Sequence, residues 1–116
     1  MNQKTLEALQ GSIAKWYEIE KGSGQDLGFL NCPLCQLFVK DCCRGCPVRE
    51  STGTPFCIGS PYTAFAELMR EAWRRDGGVE PTSIDECSMD FEPRLKRLAR
   101  DEIEFLEWLL PPGWEA

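Results

Sequence analysis

The chain reads as an all-α fold: three main helices, with an irregular, zinc-knuckle-like segment between the first and second. Three observations support this. Apolar residues recur at three-and-four spacing in three stretches, Gly and Pro separate those stretches, and six of the seven cysteines fall between Cys32 and Cys57. At 116 residues the chain is read as a single domain, 1–116, with room for one modest core.

The first helix is expected over 4–21, where Leu6, Leu9, Ile13, Trp16 and Ile19 share one face. Gly11 interrupts that run at a cost of about 1 kcal/mol relative to Ala. Gly22-Ser23-Gly24 is a C-cap and loop signal. Residues 32–59 show neither the helical nor the strand period, and Gln36 to Lys40 reads equally as a short strand or a helical turn. A loop region of that length calls for an outside constraint.

Ser60 as N-cap and Pro61 at the first helical position open a second helix over 61–76, with Phe65, Leu68, Met69, Ala72 and Trp73 on its buried face. Gly77-Gly78 ends it, and residues 79–92 read as a polar loop. Pro93 opens a third helix over 93–110, whose stripe is Leu95, Leu98, Ala99, Ile103, Leu106, Leu109 and Leu110, stopped by Pro111-Pro112-Gly113. Trp108 is expected at the edge of the core, and Trp114 either as a lid or as an exposed contact.

Two C-x-x-C pairs, Cys32-Pro33-Leu34-Cys35 and Cys43-Arg44-Gly45-Cys46, bring four thiolates within reach of one ion, the usual closed set for structural Zn2+. Cys42 and Cys43 are adjacent, so their side chains diverge and one is excluded. Cys57 competes with Cys43 for the fourth place beside Cys32, Cys35 and Cys46. Such a site contributes roughly 10–16 kcal/mol toward folding. A small core alone supplies only about 3–5 kcal/mol.

The first seven residues lack the apolar core of a secretory signal, and no stretch is apolar enough to span a membrane. The expected location is therefore the cytosol, where thiols stay reduced and an odd cysteine count favours metal over disulfides. The chain has no histidine, which excludes His-bearing catalytic zinc sites; no catalytic residue is assigned. A thioredoxin-like use of Cys32 and Cys35 belongs at a helix start within a βαβ pattern, which the sequence lacks. Iron–sulfur binding is a further use of the same thiolates. Cys87 reads as a small buried side chain.

Net charge is −6, and it is unevenly spread. Residues 1–31 carry three basic and four acidic groups, 32–59 three and two, 60–116 seven and thirteen. Lys40, Arg44 and Arg49 would offset the −2 of a four-thiolate zinc. Arg94, Lys96, Arg97 and Arg100, with Arg70, Arg74 and Arg75, read as a solvated face paired with Glu71, Asp101 and Glu104 rather than a phosphate stripe. Asp101, Glu102, Glu104 and Glu107 reverse the charge order favoured by the helix dipole, a weak sign of a partner surface.

The order of motifs resembles that of a group of small cysteine-rich proteins of bacteriophages and prophages. The matching residues are Ser12-Ile13-Ala14-Lys15-Trp16, Asn31-Cys32-Pro33-Leu34-Cys35, Cys43-Arg44-Gly45-Cys46-Pro47-Val48, Thr52-Gly53, Cys57-Ile58-Gly59-Ser60-Pro61-Tyr62, and Phe105 through Pro111. The resemblance covers residues 11–111. It implies one cysteine where this chain has Cys42-Cys43, it favours Cys57 as a ligand, and it brings no activity with it. The expected function is a non-enzymatic accessory protein that binds a host or phage protein in the host cytosol, inhibition of a host nucleic-acid-handling or defence system being one form of it. A nucleic-acid-binding regulator is the alternative, and a thiol oxidoreductase the second alternative.

Overall fold

Proline punctuates this fold at four helix starts. In the computed structural model, α1 spans Gln3–Lys21, α2 Pro33–Phe38, α3 Pro47–Thr52, α4 Pro61–Arg75 and α5 Glu92–Trp108. All but the first carry Pro at the first or second helical position, where a missing N–H is harmless. Single 3₁₀ turns occupy Gly28–Asn31, Val39–Asp41 and Ile84–Glu86. The structure describes residues 1–54, 57–75, 83–87 and 90–112, with Phe29 and Glu86 described by backbone alone. Gly77, Gly78, residues 79–82, 88 and 89 of the 79–92 loop, Gly113 and Trp114 lie outside the described residues. No strand occurs among the described residues.

The three long helices sit where the periodicity puts them. Asn2 caps α1 by accepting from the Thr5 N–H at 2.8 Å. Gly22 ends the helix at φ 105°, and its carbonyl accepts the Asp85 N–H at 3.0 Å. A side chain at Gly22 would meet the Asp85 carboxylate, which would have to move aside. At its other end α5 stops at Trp108, earlier than Leu110. Leu109 and Leu110 instead donate to Leu106 and Glu107 at 3.1 Å, tightening the last turn ahead of Pro111. Trp108 is 71% exposed, so it does not edge the core as its hydrophobicity suggests; it continues the solvent stripe through Arg97, Asp101 and Glu104.

α1 packs on α5 and α2, and α4 packs on α5. Between the long helices lie Leu9, Ile19, Phe65, Ala72, Leu95, Ala99 and Ile103, all essentially inaccessible. Trp16 meets Phe65 edge-to-face at 4.9 Å and Tyr62 at 5.7 Å. Arg100 forks onto Glu20 of α1 at 2.6 and 2.7 Å and covers the Tyr17 ring at 5.4 Å. The basic cluster at the start of α5 is thus divided: Arg100 ties two helices together, Lys96 pairs with Glu92 at 3.0 Å, and Arg94 and Arg97 share a groove with Glu67 and Glu71 of α4.

The segment read as irregular is partly helical. Its two short helices each contain six residues, too few to display a period. Each starts immediately after a cysteine, Cys32 before Pro33 and Cys46 before Pro47, and Gln36-Leu37-Phe38 continues α2 instead of forming a strand. Gly11, costly for α1 in isolation, lets α2 approach: a Cβ there would stand 3.1 Å from the Pro33 ring.

Candidate metal centre

The ends of α2 and α3 and the turns that hold Cys43 and Cys57 bring Cys32, Cys35, Cys43, Cys46 and Cys57 to the wall of one cavity of about 450 Å³, lined on its other side by α1 and α5. These are the five cysteines singled out by spacing. Cys42 is the excluded member of the doublet. It is exposed in a left-handed conformation and does not line the cavity, while neighbouring Cys43 is buried. Cys87 lies elsewhere, 3.8 Å from the Met69 sulfur, as a small partly buried side chain. None of the seven cysteines is in a disulfide.

Local structure explains each placement. Cys32 and Cys46 hold the N-cap positions of α2 and α3, and their carbonyls accept the Gln36 and Glu50 N–H groups at 3.0 Å. The Cys57 carbonyl accepts three hydrogen bonds: from the Ser60 N–H at 3.2 Å, the Ser60 hydroxyl at 2.7 Å and the Thr63 hydroxyl at 3.1 Å. Ser60 therefore turns its side chain back to fasten Cys57 to α4 as that helix begins at Pro61. Among the described residues, the non-glycine positions with positive φ are Cys42, Cys43 and Cys57, at 55°, 67° and 64°. Each costs on the order of 1 kcal/mol, so something other than backbone preference holds the cysteines there.

The electrostatics divide the thiols. The Cys35 thiol donates toward the Cys32 sulfur and holds Cys32 below its ordinary pKa; the Cys35 amide, Lys15 and Ser12 act in the same direction against burial. Cys35, as the donor of that pair, is held above its ordinary value. Burial raises Cys46, opposed by the amide N–H groups of Val48 and Arg49. Burial also pushes Cys57 up to about 12. A buried thiol resists ionising until a cation or donor compensates the charge, so a metal ion would shift all four toward thiolate.

Among the described residues, no group of three or more Cys, Asp or Glu side chains converges closely enough to hold a metal ion as the side chains stand. The thiols share a cavity without meeting at one point within it. Their chemistry still fits zinc: soft sulfur donors from two C-x-x-C pairs, with amide N–H groups favouring the thiolate at two of them.

Several lining residues escaped sequence reasoning. Lys15 and Asp26 form an ion pair at 3.1 Å with side chains only 9% and 11% exposed, and the Lys15 ammonium lies 5.6 Å from the Trp16 ring centre. The Ser12 hydroxyl is 3.8 Å from the Cys32 sulfur. Arg49 alone of the three local cations lines the cavity, donating to the Cys42 carbonyl at 2.5 Å; Lys40 and Arg44 face solvent. Glu102 is 3% exposed and faces into the same cavity from α5, whereas its neighbours Asp101 and Glu104 point outward. Burial, then the charge on Cys32, pushes its carboxyl up to about 7. A signal for it was present: Leu95, Ala99, Glu102 and Leu106 fall at helical spacing on one face.

No protein-family model, curated protein or solved structure matches this chain.

Proposed function

We propose that this chain is a zinc-stapled helical binding protein, a non-enzymatic accessory protein of phage type that acts by engaging a host or phage protein. The observation that carries the zinc part is the shared cavity wall: all five cysteines chosen by spacing face it, and the exposed Cys42 does not. The ion supplies a fixed point that the short helices α2 and α3 cannot supply for themselves, since six-residue helices are marginal alone. Cys32, Cys35 and Cys46 hold it with Cys43 or Cys57. A tightly bound zinc of about one per chain, released only on unfolding or by strong chelators, is the expected result of elemental analysis. A purified, folded chain devoid of metal rejects this reading.

The binding part is supported by apolar side chains left in solvent. Leu27, Leu30 and Leu37 are 41%, 67% and 43% exposed within one stretch beside the cysteines, and Ile58 is exposed as well. A nucleic-acid surface gains less support, because the arginines of α5 share their groove with acids or pair with them. The expected readout is a protein captured by the tagged wild-type chain and lost with Leu30→Asp. Capture unaffected by Leu30→Asp, or no capture, counts against this surface. Inhibition of a host nucleic-acid-handling or defence system is the activity to assay once a partner is identified.

A second reading has one specific observation behind it. Cys32 starts a helix, is followed by proline, and takes a hydrogen bond from Cys35, which is how a dithiol oxidoreductase presents its attacking sulfur. Thiol titration against a disulfide substrate separates the two: rapid turnover by a zinc-free chain supports the oxidoreductase, and zinc-protected, unreactive thiols reject it.

A further inference from the structure

The Glu102 carboxylate is the one acidic side chain wholly inside the described core. Its Oε1 is inaccessible to solvent and has no hydrogen-bond partner. Lys15, a cation of the cavity wall, is already taken by Asp26 at 3.1 Å, and no ion pair joins it to Glu102. A buried carboxylate with an unmatched oxygen is costly, and an apolar residue at this α5 position would pack against Ala99 and Leu106 without that cost. Glu102 lines the same cavity as five cysteines; the charge of Cys32 acts on its carboxyl, and its own charge acts on the Cys57 thiol. Carboxylate oxygen is an ordinary zinc donor at a bond length close to that of imidazole nitrogen, a donor this chain lacks altogether.

We propose that Glu102 is bonded to the metal ion, supplying an oxygen donor from α5 beside the cysteine thiolates. This rests on the zinc reading above and deepens it. The fourth place, contested between Cys43 and Cys57, then has a third claimant that lies far away in sequence. Ligation by Glu102 anchors the cysteine segment to the same helix that organises the core, so the centre clamps α5 to α2 and α3 and is more than a self-contained knuckle. Three thiolates and one carboxylate carry the same formal charge as four thiolates, so the exchange leaves the electrostatics of the centre unchanged while making one bond harder and more easily exchanged.

Zinc-edge X-ray absorption on the full zinc-loaded chain tests this directly. Wild type is expected to show an oxygen shell at about 2.0–2.2 Å beside sulfur at about 2.3 Å. Glu102→Gln is expected to lose the oxygen shell. Its zinc affinity, measured by chelator competition, should fall by more than the roughly 100-fold that loss of an outer hydrogen-bond partner costs. An all-sulfur shell in wild type overturns the proposal and leaves the zinc reading intact, as does a Glu102→Gln chain with unchanged spectrum and affinity. A wild-type chain that holds no zinc overturns both. Should the variant not fold, the wild-type spectrum alone decides.

Discussion

In the bundle of α1, α4 and α5, the inward positions are filled by Leu9, Ile19, Phe65, Leu95 and Ile103, none more than 1% exposed. In the segment from 32 to 59, the buried residues among those described are only Leu34, Cys43, Cys46, Pro47 and Val48, and the backbone takes up left-handed φ at three cysteines. The first region is ordered by apolar area removed from water, a force with no preferred direction. The second has too little such area to set its own backbone. It must be ordered by directional bonds, and the proposed zinc centre supplies them. A small domain can combine both, the helices making a core and the metal fixing a connection that the core cannot reach.

Stripping the metal is the severest way to break this contrast. A strong chelator should cost on the order of 10 kcal/mol at the centre, going by small zinc domains. Amide exchange should then rise throughout 32–59 while α1 and α5 keep most of their protection. Equal loss of protection in both regions would show that the bundle depends on the centre as much as the segment does. Phe65→Ala attacks the other side. Removing the ring that meets Trp16 at 4.9 Å should lower stability by about 3–5 kcal/mol in denaturant titration, with zinc content unchanged. A Phe65→Ala chain that loses its zinc would mean the two regions fold as one unit.

Glu102 sharpens the boundary, because it belongs to the bundle and faces the cysteines. Where the cysteine segment stays packed over it without the ion, its carboxyl is raised from 4.5 to about 7 by burial and by Cys32. The folded form therefore holds a proton that the unfolded form has released between those values. Stability of the metal-free chain should fall as pH rises through that window and level off above it. Glu102→Gln should flatten the profile and leave the metal-free chain more stable at pH 8, by about 1–3 kcal/mol. If metal-free wild type and variant follow the same pH curve, the burial of this carboxyl is not what sets its ionisation. The effect of the same substitution on zinc affinity runs in the opposite direction. Smallest of all, Cys42→Ser should change stability by no more than about 0.5 kcal/mol and leave the zinc content as it was; a lost zinc would return Cys42 to the ligand set.

Much of the bundle was legible from spacing. Trp16, Phe65 and Ile103 follow helical periods, and Gly22 and Pro61 bound their helices by local rules; the Asn2 cap, equally local, was not read. α2 and α3 were not legible, since one and a half turns show no period and their helical state follows from Cys-Pro starts and from packing on α1. That one of Cys42 and Cys43 must turn away followed from their adjacency, whereas which one did depended on the turn after Asp41. Trp108 was misread because hydrophobicity alone cannot tell the wet side of a helix near its end.

The residue types and their intervals were enough to establish an all-helical chain and a set of five cysteines with metal-binding spacing, because caps, periods and C-x-x-C pairs act over a few residues. Tertiary structure alone decided that these cysteines share a cavity with Glu102, some seventy residues from Cys32, and that Gly11 is there to admit Pro33. Those relations are made by helices crossing in space, and a crossing leaves no period along the chain.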